Sequence, residues 1–409
     1  MVAAAGQVYG VSPEGSYDSL NPSGGVGRYN VCVQIPPKVT LDMRGSTLRL
    51  TGTTEAALVA NTNLSGTGPR DASVGLVNVV LDGGDVPSRA TSLLHLAYID
   101  HLVLRGVKIV RGNYVGGWIY NCRASMFDRL AVDGFRGQPW LIGSPSGTGN
   151  QVSDSDFGTM SARNVAMIDD DFHFEGNSFV LVLTRCHVAK VAAYRCDAGI
   201  KVQWPSEDVT IGSVKTVACG NPAGNSGLKL QGEPEGPVSR ISVGEVLAHA
   251  QTGTGLYMDG SVDCTVDSYS GVANNPTGAR ADVWLGGNND KIKNLRSDGS
   301  GGPGVLVRPY AVGYRLAKVW VRNPNQSHGA AANGAAIAIY GGSGALGSVR
   351  CIDTKRPSTM ARGVEVNSPN AVGHITSLAV SGAGEAPFAS VSKAFPAPRE
   401  LVSQDGAGR

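Results

Sequence analysis

Apolar and polar residues alternate in short runs along most of this chain, and in one stretch the runs recur at a fixed interval. DDDFHFE begins at Asp169, DAGIKVQ at Asp197 and NSGLKLQ at Asn225, 28 residues apart, and TGLYMD from Thr254 joins the register one residue late. Aligned, Phe172, Ile200, Leu228 and Leu256 form one apolar column, and Phe174, Val202, Leu230 and Met258 form a second. His173, Lys201, Lys229 and Tyr257 lie between the columns, followed by Glu175, Gln203, Gln231 and Asp259. Alternation with a period of two predicts strands with one buried face. A fixed period above about 20 residues predicts that successive copies stack as coils of a solenoid. The interleaved polar residues then become ladders on an outer face, one rung every ~4.8 Å. That face is the first candidate for a site.

The pattern continues on both sides with looser spacing. Short strands punctuated by Asn, Gly and Asp are predicted in LVNVVLDGG from Leu76, LLHLAYIDHLVLRGVKIVRGN from Leu93 and GGWIYNCRASMFDRLAVDG from Gly116. Beyond the ladder, ADVWLGG at Ala281, GVLVRP at Gly304, AAIAIYGG at Ala335 and GVEVNSP at Gly363 each mark a coil. Each is followed by a second alternating run, such as DKIKNLR, YRLAKVWV or HITSLAV. A leading strand, a bend and one or two further strands per repeat predict an all-β fold. The form expected is a single-stranded right-handed parallel β-helix, a solenoid of roughly a dozen coils. A β-sandwich would need hairpin signals and would not keep a long register. The domain reading is a lead-in over 1–30, the β-helix over 31–384, and a tail over 385–409 that leaves the pattern and could close the stack.

The stretch VCVQIPPKVTLDMRGSTLRL from Val31 resembles the first coil of the pectin-lyase-like superfamily, with Pro36, Pro37 and Gly45 standing as in that family's opening turn. The resemblance implies the same β-helix. The segment 169–259 is also similar to polygalacturonase-type hydrolases, whose successive coils carry NTD, DD, GHG and RIK motifs. Asp170 stands at the NTD aspartate and Asp197 at the first aspartate of DD, while Ala198 replaces the second. Ser226 stands at the GHG histidine, and Tyr257 and Asp259 at the arginine and lysine of RIK. No helical N-terminal cap is visible ahead of Val31, so the open end is expected to be covered by upstream residues or a partner.

Composition narrows the function. Only 17% of residues are charged and the net charge is +2, which gives no overall pull toward nucleic acid or acidic membranes. The longest concentrated apolar run, FVLVL at Phe179–Leu183, is far too short to span a bilayer. MVAAAGQVYG shows no basic and apolar signal-peptide regions. The seven cysteines have no zinc-like spacing and are expected to be buried thiols at coil corners, with a Cys186–Cys196 disulfide as the alternative. No nucleotide, zinc-protease or serine-esterase motif occurs, and no cofactor or metal is expected.

Three groups of residues could do chemistry. Asp169, Asp170, Asp171, Glu175 and Asp197 form a carboxylate cluster, and glycoside hydrolysis needs one protonated and one ionised carboxyl. Crowding raises the pKa of at least one of them. Their structural alternative is turn capping or calcium binding. His173, Lys201, Lys229, Tyr257 and Arg195 form a basic group that would suit a polysaccharide lyase, which needs a base and a cation for the substrate carboxylate. Its alternative is a solvated ladder. Tyr257, Trp284 and Trp204 sit on or beside the outer ladder, where aromatic faces stack on sugars, and Trp118 and Trp140 extend the groove or fill corners.

The function expected is hydrolysis of a polysaccharide or oligosaccharide by a secreted or phage-associated enzyme. Asp170 would act as acid, with Asp197 or Glu175 as base or nucleophile and Asp169 beside them. His173, Lys201, Lys229, Tyr257, Arg195, Trp284 and Asp259 would bind substrate. The competing expectations are a lyase with Lys201 or His173 as base, and a non-catalytic glycan-binding or tailspike module. Neither nucleic acid nor membrane is expected as a partner. A homo-oligomer, as in the trimeric tailspikes of this superfamily, is.

Overall fold

The computed structural model describes residues 4–11, 15–20, 26–51, 56–66, 68–84, 92–144, 149–167, 176–220, 227–278, 280–327, 334–355 and 358–404. It divides into two compact units, Met1–Gly212 and Ser213–Arg409. Each is built from coils of a right-handed parallel β-helix, in which a strand pairs in parallel with its counterpart one coil away. The hand follows from strand twist, which packs a crossover back onto its sheet in one sense only. No helix occurs among the described residues.

In the first unit the leading ladder runs through Ser92–Asp100, Asn113–Arg123, the end of Met126–Ile142, Asn177–Leu181 and Ala198–Gln203. Leu96, Ile119, Ile142, Leu181 and Val202 follow one another in register, all fully buried. A second ladder stacks Leu41, Leu76, Leu104, Phe127, Phe157 and Val188. There Phe127 and Phe157 lie face to face, centroids 4.3 Å apart and planes within 3°. Gly117 stands in register with Trp140, and a Cβ there would come within 2.6 Å of the indole. The glycine makes room for the ring. Trp140 is core and adds nothing to an outer groove.

In the second unit the leading column is Leu228, Leu256, Val283, Val305, Ile337, Val364 and Phe388, in register throughout and, except for the half-buried Phe388, shielded from solvent. Val243, Val266, Ile292, Leu316, Leu346 and Ile375 form the second ladder. The 28-residue spacing holds from Leu228 to Leu256. It shrinks to 22 from Val283 to Val305 and grows to 32 from Val305 to Ile337. Length variation is absorbed in the turns while the strands keep register.

The start of the predicted repeat is placed differently. Phe172 and Phe174 lie outside the described residues, as do Asp169, Asp170, Asp171, His173 and Glu175. The strand paired with Ala198–Gln203 on that side is Asn177–Leu181, so Phe179 rather than Phe172 stacks on Ile200. Every residue of Asn177–Leu181 is buried. With both faces covered the strand carries no alternation, and the repeat spacing therefore points to a partner seven residues too early.

The ends also carry strands. Val8–Val11 pairs in parallel with Thr40–Leu50, and Gly15–Leu20 pairs antiparallel with Val26–Ile35. Within 385–409, Phe388–Ser390 and Glu400–Gln404 extend the two ladders of the second unit, and Phe395 is wholly buried. A Cβ on Gly373 would meet the Phe395 ring at 2.7 Å. Residues 388–390 and 400–404 thus belong to the ladders of the second unit.

All seven cysteines are thiols, six of them buried, and no Cys186–Cys196 bond forms. Cys122, Cys186, Cys196, Cys219 and Cys264 each direct the S–H at the carbonyl two residues earlier, at 3.3–3.5 Å. Burial pushes the thiols of Cys122, Cys264 and Cys351 up to about 12 and that of Cys186 to about 11. They are corner fillers, chemically quiet.

Leu256 sits between Leu228 and Val283 in the leading column of the second unit with no exposure. Leu256→Ala is expected to cost about 2–5 kcal/mol, read as a lower urea midpoint with unchanged β-sheet circular dichroism. An unshifted midpoint would contradict the stacked core.

Candidate functional site

Between the core columns of the leading ladder, every second side chain points to the opposite face of the strand. In the first unit this outer column reads Ala60, His95, Trp118, Leu141, Val180 and Lys201. It is not a polar, solvated ladder. His95 is 1% and Trp118 2% exposed, and Leu64, Tyr98, Tyr120 and Val182 complete an apolar cluster with them. The His95 ring stacks on Trp118 at 4.6 Å, and the Tyr120 hydroxyl donates to the Leu64 carbonyl at 3.1 Å. Burial holds the His95 imidazole down to about 3, so it is neutral. Trp118 therefore packs under cover instead of lining an open groove.

Lys201 is 8% and Lys229 7% exposed, which overturns the expectation of a solvated lysine ladder. The outer face of these rungs is covered too. Arg195 is exposed at the corner after His187–Tyr194, in the left-handed backbone region with φ 53°. Two residues on, Asp197 is half-buried and its Oδ2 accepts the Met167 amide at 2.6 Å. Its own amide donates to the Val165 carbonyl at 2.8 Å, and the Ala198 amide to the Gly176 carbonyl at 3.1 Å. A Cβ on Gly176 would lie 3.0 Å from that of Asp197. Met167 and Gly176, which flank the segment 168–175 in sequence, are thus both held beside Asp197.

The second unit carries the more open constellation. Lys229, Tyr257, Trp284 and Leu306 follow one another on the outer column, and Gln231, Asp259 and Gly286 on the next. Asp259 Oδ2 accepts two phenols, Tyr257 at 2.7 Å and Tyr310 at 3.0 Å. The Tyr257 and Trp284 rings stack at 5.8 Å with planes 25° apart. Arg308 lies over both Trp284, 4.7 Å from the ring centre, and Tyr310, at 5.5 Å. Arg280 reaches the other end of this group, 5.9 Å from the Trp284 ring.

One glycine makes the arrangement possible. A Cβ on Gly286 would stand 2.5 Å from Asp259 Oδ1 and 2.9 Å from the Tyr310 ring. Burial, then the hydrogen bond to Asp259, pushes the Tyr257 phenol well up, so it stays protonated and donates. Tyr310 is raised by burial too, against the lowering pull of Arg308, and is still 49% exposed. Trp284 Nε1 and Arg308 Nε find no hydrogen-bond partner among the described residues. Buried donors left in this way are uncommon.

Of the residues singled out in the sequence, the structure gathers Lys229, Tyr257, Asp259 and Trp284 on one face of the second unit. It places Lys201, Arg195 and Asp197 in the first unit. Tyr310, Arg308 and Arg280 had no sequence signal of their own. Tyr310 reaches Asp259 from 51 residues away because the turn after Val305–Val307 folds back over the preceding coil. Chemically the face offers aromatic edges, a carboxylate acceptor and guanidinium donors. That combination suits sugar rings and their hydroxyls.

No protein-family model matches the sequence, and no curated protein is similar to it. Several solved structures are similar to the chain. The A-module of the Azotobacter vinelandii mannuronan C-5 epimerase AlgE6 has 13% identity and a TM-score of 0.47, covering 99% of this chain and 92% of that one. The tailspike protein of E. coli bacteriophage HK620 in complex with pentasaccharide has 11% identity and a TM-score of 0.46, covering 98% and 71%. Tailspike protein 3 of bacteriophage CBA120 has 11% identity and a TM-score of 0.39, covering 93% and 56%.

The neutral, buried His95 makes a pH prediction. In the unfolded chain its imidazole takes a proton below its ordinary value of 6.5, while the folded protein resists down to about 3. Stability is complete above that range and falls as pH drops through it, by up to about 1.4 kcal/mol per pH unit from this residue. Urea midpoints at pH 7 and pH 5 should differ less in His95→Leu than in the parent. Equal acid sensitivity of the two would show that His95 is not buried neutral.

Proposed function

We propose that this chain is a carbohydrate-active enzyme that binds a polysaccharide and cuts it by hydrolysis. The observation that carries the reading is the Tyr257–Asp259–Tyr310 hydrogen-bonded group set against Trp284 and Arg308. Tyr310 offers an exposed aromatic edge for a sugar, and Asp259 accepts from hydroxyl donors. Arg308 brings a guanidinium that meets ring oxygens or a substrate carboxylate.

For the chemical step we assign Asp170 as the acid that protonates the leaving oxygen, with Asp197 activating water or attacking the anomeric carbon. Glu175 is the alternative partner and Asp169 a neighbouring carboxylate. Support for this comes from Asp197, which is half-buried and fixed by the Met167 amide. Gly176, the chain neighbour of Glu175, packs against it. A carboxylate pair of this kind divides into acid and base when one member is kept protonated by its surroundings. An elimination route through Lys201 has less support, because that side chain is buried.

The test is a screen of uronate and neutral polysaccharides that follows reducing ends and ultraviolet absorbance together. New reducing ends without the absorbance of an unsaturated product are expected. A rise in both would mean elimination, and no new ends on any glycan would leave a binding module. Asp170→Asn and Asp197→Asn are each expected to lower turnover ~10²–10⁴-fold. Trp284→Ala and Tyr310→Ala should weaken binding by about 1–3 kcal/mol each. Turnover within about threefold of the parent in both aspartate variants would overturn the assignment.

A further inference from the structure

The second ladder of the second unit presents a different outer face, and cations are concentrated there. Along Thr265–Val272, Lys291–Asp298, Val312–Arg322, Ser343–Ile352 and Val372–Ser381, one outward column reads Thr265, Lys291, Arg315, Ala345 and His374. Another reads Asn294, Lys318, Ser348 and Ser377, and a third Arg296, Trp320, Arg350 and Ala379. Lys291, Arg296, Arg315, Lys318 and Arg350 are all exposed. Five such groups on one face stand out in a chain whose net charge is +2.

Few carboxylates answer them. Asp298 lies 3.8 Å from Arg296 and 3.7 Å from Arg322, Asp267 pairs with Lys293 at 2.7 Å, and Asp263 borders the first column. Lys291, Arg315, Lys318 and Arg350 make no ion pair among the described residues. Two depressions open on this face. One of 360 Å³ is lined by Lys291, Arg315 and His374, and one of 390 Å³ by Arg296, Lys318, Trp320 and Ser348. In the second, the Arg296 guanidinium lies 4.4 Å from the centre of the Trp320 ring, which holds the charge in place at the surface.

We infer that this face is a docking surface for an anionic polysaccharide, a chain bearing a carboxylate or sulfate on successive sugars. Charge complementarity names the partner: exposed cations on three successive coils ~4.8 Å apart, four of them in no ion pair among the described residues, meet a polymer with regularly spaced anions. Serine and asparagine side chains between them supply hydroxyl and amide partners for sugar oxygens. A single-stranded nucleic acid is the poorer fit, because it binds through several aromatic platforms. Trp320 is the one aromatic in these outward columns, and Arg296 already lies on it. The inference shares the carbohydrate reading given above but concerns a separate face, so a substrate held over Trp284 and one held over Trp320 are distinguishable.

The experiment measures dissociation constants for a fluorescent polygalacturonate oligosaccharide, a heparin fragment, a neutral dextran and a single-stranded DNA oligonucleotide. The acidic sugars are expected to bind, tenfold or more tightly than dextran, and to weaken from about 50 to about 200 mM salt. Whichever of the carboxylate and sulfate probes binds better identifies the anion. Lys318→Glu with Arg350→Glu should weaken acidic-sugar binding at least about tenfold, whereas Lys318→Arg should retain it. Lys190→Glu, an exposed lysine of the first unit, should leave it within about twofold. Unchanged melting midpoints show that the surface variants fold. Failure of both acidic sugars to bind, tighter DNA binding through the same residues, or equal losses in Lys190→Glu would each overturn the inference. Loss in Trp284→Ala alone would instead place the acidic sugar on the leading-strand face.

Discussion

Hydrogen bonding between parallel strands fixes each coil about 4.8 Å from the next, and every other feature of this chain works within that spacing. At such a distance a core residue meets its own counterpart one coil on, so the interior is a set of like-on-like stacks. Leu256 on Leu228, Phe157 on Phe127 and Leu316 on Ile292 are examples. A stack tolerates variation in the turns but not in register, since a one-residue slip would send each apolar side chain outward. The spacings of 22 and 32 residues across Val305 show this plainly: the leading strands on both sides keep their register.

The corners are where polar groups are accepted into the interior. Asp290 is buried, with Ser261 donating to Oδ2 at 2.6 Å and the Cys264 amide to Oδ1 at 3.0 Å, and burial raises its carboxyl to about 7. Asp282 is held by Tyr269 and by Asn274 at 2.7 Å, and burial again moves its carboxyl upward. Elsewhere the same task falls to serine: Ser125 accepts the Leu102 amide and Ser155 accepts the Ser125 amide. Asp290, Ser125 and Ser155 each take a backbone N–H that the turn would otherwise strand, which is the requirement placed on any buried backbone group. Cysteine thiols, apolar enough for the core and weakly polar enough for a carbonyl, fill the remaining corners.

Repetition also multiplies what lies outside. Because outward residues on adjacent coils are rung neighbours, a change of one residue type per coil alters the character of a whole face. In the first unit the outer column of the leading strands is apolar and covered from His95 through Val180. In the second unit the same kind of column becomes Tyr257 and Trp284, flanked by Asp259 and the arginines. The second ladder of that unit is basic instead. Three surfaces of different chemistry thus stand on one backbone pattern, consistent with function residing in what is grafted onto a fold.

The alternation of apolar residues by itself determined the coil architecture, because burial of one strand face imposes a period of two that survives in the letters from Ile200 to Val364. The residues of the open constellation were half visible for the same reason: Lys229, Tyr257, Asp259 and Trp284 alternate with core positions and so had to share a face. Tertiary structure decided the rest. The partner of Ile200 was misplaced because Asn177–Leu181 is buried on both sides and shows no alternation. Exposure of the lysines was misjudged because a period of two tells which side a residue faces, not whether that side is covered. Tyr310 and Arg308 were invisible because they sit in a turn, where no periodicity constrains the letters, and only the fold of that turn over Gly286 brings them to Asp259 and Trp284.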